Sequence, residues 1–203
     1  LFGERGFQSM GEDIQHLHAL DAPAGAFRTG VRVGGDIEPF LRRSPKFYCD
    51  PAAFGGRFRA AEEWALVALL IRQTARFPMV ALADGQAFRN SILAGFASET
   101  WSRFFLLAWL NSSPIRWFHY VRNRDARQGM PQVKIAHLRA LPAPRSNAYV
   151  QRIETLGRTF GQRNAGVSSD EQQCLDDLVT DALELSSVER QIIQHWRSAL
   201  LEK

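Results

Sequence analysis

WALVALLIRQTARFPMVALADGQAFRNSILAGF, residues 64–96, is the stretch whose reading decides the fold. Its apolar runs are short, rich in Val, Ile, Leu and Ala, and interrupted by turn signals. Leu66 to Thr74 is a β-prone run, Phe77-Pro78 breaks it, and Met79 to Ala83 resumes it. Asp84-Gly85 is a tight-turn pair, and Phe88 to Phe96 makes a third strand. Side chains alternate along a strand, so Arg89 and Ser91 fall on one face and Asn90 and Ile92 on the other. Residues 57–97 therefore read as a β-meander. Polar clusters close its apolar runs: Arg72-Gln73-Thr74 after the first, and Arg89-Asn90-Ser91 at the start of the last. Arg, Asn, Gln, Ser and Thr are the side chains that read base edges and hold phosphates.

Downstream, WSRFFLLAWLNSSPIRWFHYVRNR occupies residues 101–124. Ser98 is a suitable N-cap for a helix from Glu99 to Leu110. Trp101, Phe104, Phe105, Ala108 and Trp109 lie near helical spacing, which buries this helix on most sides and makes its aromatic stripe core. Asn111-Ser112-Ser113-Pro114 ends it and opens another, with Ser113 as cap and Pro114 at the first helical position. Asn111 and Ser112 are expected to cap and tie the helix rather than to touch a ligand. The second helix spans Ile115 to Val121. A basic, glycine-bearing loop follows from Arg122 to Lys134, with Arg122, Arg124, Arg127, Gln128, Gln132 and Lys134 suited to a phosphate backbone or a groove. Leu138 to Pro144 closes the domain, because Pro142 and Pro144 stop any helix.

The flanks carry weaker signals. Residues 1–30 are rich in Gly and Ala. Phe7, Ile14, Leu17 and Leu20 suit one short amphipathic helix, and His16 and His18 read as surface residues. Gly34-Gly35-Asp36 marks a turn, and Phe47-Tyr48 starts a strand. Tyr149, Val150, Ile153, Leu156 and Phe160 make one helical stripe, and residues 161–166 read as a linker. Ser168 with Glu171, and Ser186 with Glu189, are capping-box pairs that open two further helices. The predicted class is α+β: a mixed β-sheet or meander with a buried aromatic helix, followed by C-terminal helices. The divisions are a connector over 1–30, a recognition domain over 31–146 and a helical segment over 147–203.

Charge sharpens the functional reading. The 203-residue chain has a formal net charge of only +4, but its distribution is uneven. From Arg116 to Arg145 seven basic residues face one acid, Asp125. From Ser168 to Lys203 eight acids face three bases. A basic middle suits a polyanion, and the acids of the tail are expected at cap and solvent positions. Two cysteines make no disulfide framework, so a reducing, cytoplasmic setting is expected. The longest apolar run, Trp64 to Ile71, is too short to span a bilayer, and no signal peptide is visible. The first residue is Leu rather than Met, which suggests a longer parent polypeptide. There is no G-x-G-x-x-G, no P-loop, no H-E-x-x-H, no Cys cluster and no Asn-Pro-Pro or Asp-Pro-Pro motif. No metal site, catalytic residue or cofactor is therefore assigned to the chain itself.

LLIRQTARFPMVAL, FRNSILAGF, FFLLAWLNSSPIRWFHY and GMPQVKIAHLRALPAP together resemble the TaqI-like C-terminal specificity domain of N6-adenine DNA methyltransferases. The matching parts are Arg72-Gln73-Thr74, Asn90-Ser91, Leu110-Asn111-Ser112, Pro131-Gln132 and Leu138 through Pro144, with Gly35-Asp36-Ile37 resembling the opening motif. The resemblance covers residues 30–195 and is looser in the tail, where Ala182-Leu183 replaces the family's Tyr-Gly. It implies a target-recognition domain that holds double-stranded DNA beside a methyltransferase domain of the same parent polypeptide. It also implies S-adenosylmethionine in that absent domain, and a chain that is non-catalytic alone. Two other readings stand beside it: the specificity subunit of a multi-subunit restriction complex, and a protein-interaction domain of a phage-defence protein.

Overall fold

A computed structural model describes residues 1–8, 11–123 and 129–200. The architecture is α+β, with two four-stranded sheets and helices that gather toward the C-terminus. The first sheet contains β1 (Phe2–Gly3), β7 (Leu69–Arg72), β8 (Val80–Leu82) and β10 (Ile92–Gly95), in the order β1-β10-β7-β8 with every pair antiparallel. The second contains β2 (His18–Ala19), β3 (Thr29–Arg32), β6 (Phe47–Cys49) and β9 (Ala87–Phe88), in the order β2-β6-β3-β9. A small pair, β4 (Ile37–Glu38) and β5 (Leu41–Arg42), joins the layers.

The first sheet is the middle layer. Leu69, Ile71, Val80, Leu82 and Leu93 belong to one core, while Leu70, Ala81, Ile92 and Ala94 belong to the other. That is the period-two alternation of strands with both faces covered, which explains why these strands read as continuous apolar runs. Each fully buried Leu, Ile or Phe contributes roughly 1.5–3 kcal/mol, so covering both faces outweighs a polar outer face. The second face meets Val31, Phe54, Trp64 and Phe88. The first meets α2 (Arg103–Asn111), α5 (Val150–Arg163) and α6 (Ser169–Ala182), whose buried residues Leu107, Ile153, Phe160, Leu175 and Val179 share its core. The remaining helices are α1 (Ala61–Ala65), α3 (Ser113–Arg122), α4 (Ile135–Arg139) and α7 (Ser187–Leu200).

α2 is buried from Phe104 to Asn111, and Trp101, Phe105 and Trp109 stack in a row at 4.7 and 5.3 Å between centroids. The aromatic stripe is core, as its spacing suggests. α5 lies against α2 so closely that a Cβ on Gly157 would sit 2.0 Å from the Phe104 carbonyl oxygen. Glycine is what lets the two helices meet.

Several details differ from the sequence reading. The third strand of residues 57–97 does not continue the meander. It breaks at Arg89-Asn90-Ser91 into β9, parallel to β3 in the second sheet, and β10, beside β7 in the first. The N-terminal segment forces the break: Phe7 N donates to Phe88 O and Asn90 N donates to Phe7 O, so the chain cannot run straight past it. Phe7 is thus a β-bridge residue, not part of a helix; the helical piece there is a 3-10 turn at Gly11–His16, and Ile14 is exposed. His16 and His18 are half-buried against the Phe54 and Phe27 rings. Ser102, not Ser98, caps α2 by accepting from Phe105 N, while Ser98 Oγ accepts from Trp101 N in the preceding turn. α3 begins at Ser113, two residues before Ile115, with Ser112 rather than Ser113 as N-cap. The 161–166 linker is shorter, because α5 runs to Arg163 and ends at Asn164 in a left-handed conformation. The Asn164 carboxamide accepts from Arg42 N and donates to Arg42 O, fastening the helix end to β5. Both capping boxes form.

Candidate nucleic-acid interface

Three polar segments far apart in sequence meet at one end of the first sheet. β7 ends at Arg72, whose Nε donates to Thr74 O and turns the chain. Gln73 N then donates to Ser91 O at 3.0 Å, and Gln73 O accepts from Val133 N at 2.8 Å. Two main-chain bonds therefore tie residues 72–74, 89–91 and 131–134 into one rim. A fourth segment closes it from below. Gly34 N donates to Ser91 Oγ at 3.0 Å, and a Cβ on Gly34 would stand 2.9 Å from Ser91 O and 3.6 Å from Arg72 Cγ. Asp36 holds this turn by accepting from Val33 N. Burial raises its carboxyl above the usual range despite that bond and nearby Arg32.

The side chains on the rim differ in exposure. Thr74, Asn90, Gln132 and Lys134 are exposed, as is neighbouring Arg76. Arg72, Gln73, Arg89 and Ser91 are half-buried. Burial lowers the pKa of the Arg89 guanidinium, which stays cationic at neutral pH because the group starts so high. Among the described residues the carboxamides of Asn90 and Gln132 make no hydrogen bond, so both keep free donors and acceptors. Amides and guanidinium groups on a backbone fixed by main-chain bonds can meet base edges and phosphate oxygens with little loss of backbone freedom.

The remaining candidates do not join this rim. Arg122 is exposed at the end of α3 and stacks over the Phe118 ring at 5.5 Å. Arg124, Arg127 and Gln128 lie outside the described residues. Arg116 was counted with the basic middle but is 4% exposed: its Nε donates to Pro78 O at 3.0 Å and its Nη2 to Asn111 Oδ1 at 2.8 Å. Its charge supports the fold instead of meeting a polyanion.

That arginine belongs to an interior polar network. The Asn111 carboxamide accepts from Val80 N and donates to Val80 O, serving the edge of β8 as a further strand would. Ser112 Oγ donates to Trp109 O, so both residues tie the end of α2 as expected. Asp176 of α6 accepts from Ser113 N, Gln172 Nε2 and Arg197 Nη1. Desolvation raises the Asp176 carboxyl above its usual range in spite of these partners. The tail acids were expected at cap and solvent positions; Asp176 departs from that because it lies between Leu175 and Val179 on the buried face of α6. Gln172, Asp176 and Thr180 repeat every four residues, the one sequence signal that marks a polar stripe turned inward.

His119 was also missed. It is fully buried, its ring is 5.4 Å from that of His137, and neither of its nitrogens has a hydrogen-bond partner. Desolvation, then the neighbouring His137, push its pKa down to about 4.

Among the described residues no group of three or more His, Cys, Asp or Glu stands where it could hold a metal ion. No helix among them is long and apolar enough to cross a membrane. No family model matches the chain, and no curated protein matches it.

Proposed function

We propose that this chain recognises double-stranded DNA through the rim of Arg72, Gln73, Thr74, Arg89, Asn90, Ser91, Gln132 and Lys134. On this reading it is the target-recognition domain of a site-specific adenine-N6 DNA methyltransferase or fused restriction–modification enzyme. The observation that carries the reading is the joining of three separate polar segments by the Gln73–Ser91 and Val133–Gln73 main-chain bonds. Those segments are also the ones that resemble the TaqI-like specificity domain. Arg72, Arg76, Arg89 and Lys134 supply cations for phosphates, and Gln73, Asn90 and Gln132 supply the paired donor and acceptor that base edges require. Catalysis and S-adenosylmethionine belong to a methyltransferase domain of the parent polypeptide.

Fluorescence anisotropy with a pool of randomised duplexes tests this directly. Four phosphate contacts give a log–log salt slope of about −4 between roughly 50 and 200 mM salt. After selection of a preferred site from the pool, Asn90→Ala should cost about 1–3 kcal/mol on that site and less on the pool. An affinity that is flat with salt, or a pool that yields no preferred site, refutes the assignment.

A further inference from the structure

A cleft of about 420 Å³ opens between α3 and α7, on a part of the molecule that the DNA rim does not use. Its walls are apolar: Trp117, Phe118 and Val121 from α3, Leu185 before α7, and Ile193 within it. The apolar surface continues past the cleft. Val121 is 45% exposed, Val188 63% and Ile192 49%, and the last two stand four residues apart on one side of α7. Solvated large aliphatics scattered singly mean little, but Val121 lines the cleft, and Val188 and Ile192 directly precede its lining residues Glu189 and Ile193 on α7, which leaves an apolar surface that a partner can cover.

The charges at the rim say what kind. Arg122 and Arg145 stand beside the cleft, and among the described residues neither makes a salt bridge. Among the described residues the one carboxylate there, Glu189, accepts from Ser186 N and Oγ at 2.7 Å each, and those bonds, with the charge of Arg145 behind them, hold its pKa down. Two cations thus face solvent beside an apolar trough walled by two helices. A trough of that kind accepts a third helix laid along it by its apolar stripe.

We propose that the α3–α7 cleft docks an amphipathic helix of a partner protein, one that carries acidic side chains beside its apolar stripe. The apolar stripe covers Val121, Val188 and Ile192, and the acids meet Arg122 and Arg145. Nothing in this proposal depends on DNA binding.

Two labelled helical peptides of about four turns, with the same leucine stripe and flanked either by Glu or by Lys, supply the probe. Anisotropy with the whole 203-residue chain should show the Glu peptide binding at least about tenfold more tightly than the Lys peptide, the gain expected of two rim ion pairs. The pair of changes Arg122→Glu and Arg145→Glu should reverse that preference. Ile192→Glu, at an exposed position, should abolish binding of both peptides without loss of the circular-dichroism signal. Equal binding of the two peptides, or no binding of either, overturns the proposal. So does displacement of the Glu peptide by duplex DNA, which would give the arginines to phosphates. Concentration-dependent dimerisation in sedimentation that Ile192→Glu removes would also overturn it, by assigning the patch to a second copy.

Discussion

Asn90 and Asn111 each adjoin an apolar element, each sits beside a serine, and they do opposite work. Asn111 is completely buried and spends its carboxamide on both main-chain groups of Val80. Asn90 is exposed, and only its main chain is engaged, donating to Phe7 O. The same contrast separates Arg116, enclosed between Pro78 O and Asn111, from Arg72, half-exposed at the rim. Residue type does not decide which polar group holds the fold and which is left for a ligand. Partner supply decides it. β8 is an edge strand at Val80: Phe40 N reaches its carbonyl, but its N–H must find an acceptor once covered, so the Asn111 side chain is recruited. The turn at 89–91 has its main-chain groups satisfied by Phe7, Arg32 and Gln73 and its Ser91 hydroxyl engaged by Gly34 N, so the Asn90 side chain has no structural duty.

The interior network should therefore break hardest. Asp176→Ala removes the acceptor shared by Ser113 N, Gln172 and Arg197 and the carboxylate that acts on two buried guanidinium groups, Arg197 and Arg116. Loss of one partner of a buried pair costs about 3–5 kcal/mol, and a urea midpoint at neutral pH measures it. A loss below about 1 kcal/mol would mean the network is no more structural than the rim.

His119 sharpens the contrast through pH. Its pKa is about 4 in the folded chain against 6.5 for a free histidine. As pH falls the unfolded chain takes up the proton first. The stability that neutral His119 contributes is thus complete above pH 6.5 and is lost as pH falls towards 4, by roughly 3 kcal/mol in all. His119→Gln has no proton to gain, so the difference between the two proteins should shrink steadily over that window. A difference that stays constant from pH 7 to about pH 4 contradicts the burial argument.

Gly34 tests the place where fold and rim touch. Gly34→Ala drives a methyl to 2.9 Å from Ser91 O, whereas Gly35→Ala meets nothing within 4 Å. The first should cost about 1–3 kcal/mol and disturb DNA binding by displacing the 89–91 turn. The second should be neutral to within about 0.5 kcal/mol. Equal effects in denaturation would show that the turn yields freely.

The sequence made the class and the first two strands legible, because the β-prone runs Leu66 to Thr74 and Met79 to Ala83 are short and bounded by turn signals. It did not reveal the strand order. Both faces are apolar, so no polar alternation fixes register, and size does not separate them: Leu70 and Ile92 face the second sheet beside Ala81 and Ala94, and Val80, Leu82 and Leu93 face the helices. The break at Asn90 depends on Phe7, which comes from a segment with almost no periodicity of its own. The polar clusters at 72–74 and 89–91 were legible as sites of interest, but not the bonds that join them to residue 133. The fates of Arg116 and Asp176 depend on contacts between α3, α6 and α7, which no local spacing records.

The smallest effect is the most informative about the rim. Asn90→Ala and Gln132→Ala each remove an exposed carboxamide without a hydrogen bond among the described residues. The main-chain bonds from Asn90 N to Phe7 O and from Val133 N to Gln73 O remain, so each variant should keep its urea midpoint, with stability within about 0.5 kcal/mol. Asn111→Ala, by contrast, leaves the buried Val80 N–H unpaired and takes the Oδ1 acceptor from Arg116, while Val80 O keeps its bond from Phe40 N, and should lose about 1–3 kcal/mol. If Asn90→Ala destabilises as much as Asn111→Ala does, its side chain is structural and the rim is part of the scaffold. If it leaves stability intact and weakens only the selected duplex, the two asparagines have been separated by the one property that distinguishes them, a partner already present in the fold.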